Sequence, residues 1–177
     1  MSNKLVRIAV SGKSGCGNTT VSTLLAERLG AQVVNYTFRS LAQELGLPLA
    51  QIAKEAEHDP KWDYLVDERQ LERANSAPSI LASRLAIWLW KEARLRVWLE
   101  APLEVRAARI HQREGSELDA GILETTRERD QRDHDRYLKL YGIDNDAVPP
   151  VDLKIEVSHR TPEEIVRLIV EAWEALP

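Results

Sequence analysis

The run Gly12-Lys-Ser-Gly-Cys-Gly17-Asn18-Thr19 combines residue types and a spacing that suit phosphate binding. It follows the pattern G-x-x-x-x-G-K-[ST], except that Asn18 stands where a lysine is expected. Glycines let successive backbone N–H groups turn inward around an anion, and a helix N-terminus directly behind adds its dipole. Gly12, Lys13, Ser14, Gly15, Cys16, Gly17, Asn18, Thr19 and Thr20 therefore form a candidate cradle for a nucleoside triphosphate, with the Thr19 hydroxyl on Mg2+. The plainer alternative is an ordinary turn rich in glycine and serine. Three glycines at this spacing, opening from a strand, weigh against it. Asn18 brings an amide without charge, so the charge of the outer phosphates falls to Lys13 in the same loop, to arginines elsewhere, or to both. Cys16 lies among loop N–H groups that would stabilise a thiolate. The simpler reading, which we favour, is a small residue filling a serine-sized space.

Arginines recur in phase. Arg129, Arg132 and Arg136 fall within one narrow sector of a helix at about 100° per residue, and Arg106, Arg109 and Arg113 repeat that spacing. A solvated helix laced with pairs such as Glu128 with Arg132 and Arg129 with Asp133 is the bland account of the first series. The phosphate loop in the same chain favours a clamp on phosphates instead. Phosphoryl transfer needs positioning and charge stabilisation more than covalent help, and such arginines contribute about 10³–10⁵ in rate. Lys13, Arg129, Arg132 and Arg136 are the candidate catalytic cations.

These residues need a scaffold. Short apolar runs at 5–10, 31–35, 79–83, 95–100 and 152–157 read as strands, with helical segments between them. Val21, Leu24, Leu25 and Leu29 keep helical spacing, and Gly30 closes that helix. Thr161-Pro-Glu-Glu164 is a capping box that opens the last helix. Alternating strands and helices predict an α/β fold with a five-stranded parallel sheet covered on both faces. Residues 37–75 carry no strand signal and are interrupted at Pro48 and Pro60; with about 112–140 they form helical inserts able to move. The core is then about 1–36, 76–111 and 141–177 of a single domain. A net charge of −4 supplies no overall attraction to nucleic acid or acidic membranes. One cysteine makes no internal disulfide, and no apolar stretch reaches the ~18 residues of a spanning helix. A cytoplasmic monomer with small-molecule partners, no nucleic acid and no membrane is expected.

The blocks IAVSGKSGCGNTTVSTLLAERLG, FRSLAQELG, DPKWDYLVDERQLE, ILASRLA, VWLEAPLEVRAARIHQREG, TRERDQRDHDRYLKLYGID and VDLKIEVSHRTPEEIVRLI run in the order found in cytidylate kinases. The chain resembles that family along nearly its whole length, most of all its short archaeal-type branch. The resemblance implies a P-loop nucleoside-monophosphate kinase core with an NMP-binding insert and a lid, using ATP with Mg2+ and CMP. It implies that Arg39 and Arg84 hold the acceptor phosphate. It further implies that Arg129 and Arg136 meet phosphates, that Asp133 meets ribose hydroxyls, and that Arg109 and Arg113 lie near adenine and the ATP phosphates.

The sequence departs from the family pattern at three places. Asn18 replaces the loop lysine, Ala82 and Ser83 stand where an acid and a glycine are expected, and Asn35-Tyr-Thr37 is shorter than the family's serine-containing turn. Asp63, Asp67 and Gln70 share one helical face. Carboxylates suit the N4 amine of cytosine, yet a solvated acidic face balanced by Lys61 and Arg69 is an equal reading. Glu100 is placed either near Mg2+ or on the following turn. The four histidines lack metal-ligand spacing, and Trp88, Trp90 and Trp98 read as sheet-covering residues. Two other functions compete with a CMP kinase. One is a kinase for UMP, dCMP or a small non-nucleotide alcohol, and the other is a nucleotide-binding regulator without turnover, for which Asn18 and Ala82 speak.

Overall fold

The computed structural model describes residues 5–114, 121–147 and 149–177. Five strands, β1 (Arg7–Gly12), β2 (Gln32–Val34), β3 (Ser79–Ala82), β4 (Leu95–Glu100) and β5 (Leu153–Glu156), form one parallel sheet in the order β2-β3-β1-β4-β5. This is the expected architecture, with each strand within about two residues of its sequence position. The apolar runs are short and nearly continuous because both faces of a parallel sheet are covered.

Side-chain alternation splits the core in two. Ile8, Val10, Val97 and Leu99 point to α1 (Asn18–Leu29) and α8 (Pro162–Ala175), meeting Val21 and Leu25 from one helix and Ile165 and Ile169 from the other. Ala9, Leu81 and Trp98 face the opposite way, onto Ala74, Ile87 and a fully buried Trp90. Trp88 stands edge-on to Trp98, ring centroids 5.6 Å apart. The tryptophans cover the sheet, as their spacing predicts. The Thr161–Glu164 capping box is present in both directions, with Pro162 in the first turn of α8.

Between β2 and β3 the chain makes three helices, α2 (Phe38–Leu45), α3 (Leu49–Ala56) and α4 (Lys61–Ser76). Pro48 and Pro60 occupy the caps of α3 and α4, so the prolines divide the helical text rather than kink it. Tyr36, Leu41, Ile52 and Trp62 give these helices a small core of their own. After β4 come α6 (Leu103–Glu114) and the long α7 (Ile122–Tyr141), while the short α5 (Ala86–Leu89) follows β3. The chain turns from β1 toward β3 on one side and toward β4 on the other, which opens a crevice beyond the strands' carboxyl ends. That crevice holds the site.

Candidate functional site

A cleft of about 990 Å³ runs along this crevice from the loop after β1 to the junction of α4 and α7. Gly12, Lys13, Ser14, Gly15, Cys16, Gly17, Asn18, Thr19 and Thr20 all line it, as expected for a phosphate cradle opening into α1. Two of the glycines are dictated by geometry. A Cβ on Gly12 would stand 2.5 Å from the Leu99 carbonyl, and Gly15 has φ +89° and a Cβ there would stand 2.7 Å from the Arg106 carbonyl. Ser11 Oγ donates to the Ser83 carbonyl at 2.6 Å, tying the end of β1 to the loop that carries Arg84.

Asn18 does not reach into the cradle as a charged lysine would. Its Nδ2 donates to the Gly12 carbonyl at 3.0 Å, and its Oδ1 is buried without a partner among the described residues. The amide braces the loop. Lys13 pairs instead with Asp146, from the turn after α7. Cys16 is 2 % exposed, and burial pushes its thiol up to about 11 against the opposing pull of Arg106 and Arg109. Burial therefore favours the space-filling reading over a thiolate.

The phased arginines part company in the fold. Arg106 is buried and forks onto Asp130 at 3.1 and 2.7 Å, while also donating to the carbonyls of Ala101 and Ser14. It joins β4, the phosphate loop and α7, and is no phosphate ligand. Arg109 and Arg113 do line the cleft, with Arg109 Nη2 donating to the Val157 carbonyl at 2.8 Å. On α7, Arg129 Nη1 donates to Ser14 Oγ at 3.4 Å and Arg136 forks onto Asp63, while Arg132 is exposed; none of the three is among the residues lining the cleft. In this conformation Arg132 donates Nε to the Glu128 carbonyl of its own helix at 3.4 Å. One helical sector spans about 60°, wide enough for its edge to face solvent.

At the far end stand Asp63, Val66 and Asp67 of α4, Phe38, and Tyr137, Leu140 and Tyr141 of α7. Burial pushes Asp67 up to about 6, with Asp63 acting the same way and hydrogen bonds from Tyr141 and Gln70 opposing. Gln70 is itself buried outside the cleft lining and donates Nε2 to Asp67 Oδ1 at 2.5 Å. It supports Asp67 from behind, one turn along α4. Arg84 lines the cleft and pairs with Asp133, whose carboxyl burial raises while the Arg84 guanidinium pulls it down. Arg39 is exposed and outside the cleft lining, so this conformation does not bring it to the site. Its neighbour Phe38 takes that place, beneath the Arg136 guanidinium at 5.7 Å.

Sequence reading missed Tyr36, Tyr137, Tyr141 and Arg160, all of which line the cleft, and Asp146. The tyrosines follow the arginine helix at Tyr137 and Tyr141, one turn apart and in phase with Asp133; that spacing was the available signal. Glu100 pairs with Lys154 at 2.8 Å and is not among the residues lining the cleft. Among the described residues, no group of three His, Cys, Asp or Glu side chains could hold a metal. No helix among them is long and apolar enough to cross a membrane.

Residues 7–159 match the sequence profile of the cytidylate kinase-like family. The chain belongs to that family. A protein named cytidylate kinase 2 from Borreliella afzelii is 41% identical over 168 residues, covering 93% of this chain and 94% of its own. A protein named cytidylate kinase from Pyrococcus horikoshii is 39% identical over 176 residues, covering 98% and 91%. The cytidylate kinase-like reading thus extends to archaeal relatives, as the resemblance implied. A shikimate kinase from Acinetobacter baumannii shares the fold, with TM-score 0.65, 16% identity and coverage of 97% of this chain and 94% of that one. In this cytidylate kinase-like chain the end of β3 carries Ala82 and Ser83 along the cleft. That rim of the cleft therefore carries no carboxylate at either position.

Proposed function

We propose that the chain is a cytidylate kinase that moves the γ-phosphoryl of MgATP onto CMP, giving CDP and ADP. The observation that carries the reading is a single cleft with a phosphate loop at one end, two carboxylates among aromatic rings at the other, and Arg84 between them. Family membership agrees. The bond from the γ-phosphorus to its bridging oxygen breaks and one to a CMP phosphate oxygen forms. An acceptor phosphate already ionised requires no general base.

ATP lies on the loop from Gly12 to Thr20, with Arg109 and Arg113 beside it. The Thr19 hydroxyl would hold Mg2+ beside the ATP phosphates, where the ion would offset their charge; the cleft supplies few carboxylates of its own. Lys13, Arg129 and Arg136 neutralise the charge of the transferring group. Arg84 takes the acceptor phosphate, leaving Asp133 for the ribose, while Asp63 and Asp67 face the base; Arg39 joins only if the insert moves. Three of these cations rest on carboxylates in the structure: Lys13 on Asp146, Arg84 on Asp133 and Arg136 on Asp63. Phosphates would displace these carboxylates. Residues 37–75 and 112–140 act as acceptor insert and lid, closing to exclude water. The protein works in the cytoplasm as a monomer.

A panel of CMP, dCMP, UMP and a small alcohol with coupled ADP detection tests the acceptor. CMP should give the highest kcat/KM, and a non-nucleotide preference would overturn the reading. One observation favours a second function, a regulator without turnover: Asn18 brings no charge to the loop, and its amide is engaged by the Gly12 carbonyl. Calorimetric binding of ATP and CMP without ADP formation would establish that alternative.

A further inference from the structure

The base end of the cleft joins two helices through residues that lie 74 apart in the chain, Asp67 and Tyr141. Tyr141, in the last turn of α7, donates its hydroxyl to Asp67 Oδ2 on α4. Gln70 donates to the other oxygen, Oδ1. Both carboxylate oxygens are thus fixed as acceptors, each with a further lone pair to spare, and Asp67 lines the cleft. Tyr141 is itself held in place. Its ring meets Tyr64 edge-on at 5.5 Å, and Tyr64 Oη donates to the Leu140 carbonyl at 3.1 Å.

We propose that Tyr141 is a specificity-positioning residue for the acceptor base, locking the Asp67 carboxylate as an acceptor of an exocyclic amine. Cytosine presents an N4 amine there, whereas uracil presents an O4 acceptor and meets the same oxygens lone pair to lone pair. The base is therefore read by lid helix and acceptor insert together, and discrimination is complete only when α7 is docked on α4. The inference rests on the proposed pyrimidine-monophosphate reading.

The groups facing Asp67 are Asp63 and Gln70 from α4 and Tyr137 and Tyr141 from α7, with Arg136 already claimed by Asp63. Removing the Tyr141 hydroxyl removes a hydrogen bond that favours the ionised carboxyl. Loss of CMP binding on acidification should then begin at higher pH.

Calorimetry of CMP and UMP with wild type, Tyr141→Phe and Tyr64→Phe, without ATP and from pH 5 to 8, separates the possibilities. Wild type should prefer CMP over UMP. Tyr141→Phe, which keeps the ring contact with Tyr64, should cut that preference about tenfold and move the acid limb of CMP binding upward. Tyr64→Phe should keep the preference. An unaltered CMP:UMP ratio in Tyr141→Phe overturns the inference while leaving the kinase reading intact, and so does an equal loss in Tyr64→Phe, which would mark a merely structural effect. Wild-type protein that binds neither nucleotide overturns both.

Discussion

Arg136 grips Asp63 with two parallel hydrogen bonds, Nε to Oδ1 at 2.8 Å and Nη2 to Oδ2 at 2.7 Å. The fork joins α7 to α4 across the cleft mouth, with Phe38 beneath the guanidinium. Asp63 is well covered while Arg136 is about one-third exposed, so solvent screens part of the attraction. Asp63→Asn should cost about 1–2 kcal/mol, lowering the thermal midpoint by roughly 2–6 °C. The loss should shrink in high salt. An unchanged midpoint at low salt would show that the fork contributes nothing to closure.

Arg106 makes a sharper case. Its side chain is 6 % exposed and it satisfies Asp130, Ala101 and Ser14 at once. Arg106→Ala leaves Asp130 uncompensated and should destabilise the fold by about 3–5 kcal/mol. Arg132→Ala, on the exposed side of α7, should stay within about 0.5 kcal/mol. Denaturant midpoints of the two variants check the contrast, and equal losses would refute it.

Asp67 sets a pH dependence whose sign can be worked out. Its carboxyl lies at about 6 in the folded protein against an ordinary 3.8. A raised carboxyl stabilises the fold below the lower value, and that contribution is lost as pH rises through about 6. The thermal midpoint of Asp67→Asn minus that of wild type should therefore become more positive between pH 4.5 and 7.5, by about 1–2 kcal/mol in equivalent stability. A flat difference across that range would contradict the burial argument.

Lys13 is the loop's own cation, now held by Asp146. If it shares the role left vacant at Asn18, Lys13→Ala should lower kcat by about 10²–10³, with a smaller change in KM for CMP. Steady-state kinetics at saturating ATP decide it; unchanged turnover would remove Lys13 from the chemistry.

Cys16 should resist thiol reagents in the folded protein, since burial holds its thiol near 11 and the thiolate is the reactive form. Labelling with a chromogenic disulfide at pH 7.5 should proceed only on unfolding. Rapid native labelling would reopen the redox reading.

The strands and phosphate loop were legible because each depends on local text: apolar runs of strand length, glycines at fixed offsets and proline at helix starts. The fate of individual arginines was not. Arg106 and Arg109 share a helical sector, yet one is buried against Asp130 and the other lines the cleft. Helical phase fixes direction relative to the helix axis, but not the element that arrives opposite. Arg39 and Phe38 show the same limit at one helix start: the neighbour, and not the cation, faces the ligand space. Contacts such as Tyr141 with Asp67 join residues far apart in the chain, and no local pattern encodes them. Gln70 was correctly placed on the Asp67 face, but its burial required the neighbouring helices to be known.

Incubation of the protein with MgATP and CMP, followed by chromatographic separation of nucleotides, tests the central claim most directly. The account expects CDP and ADP to accumulate in equal amounts, with almost no ADP when CMP is omitted. ADP formed equally without CMP, or no CDP at any enzyme concentration, would contradict it.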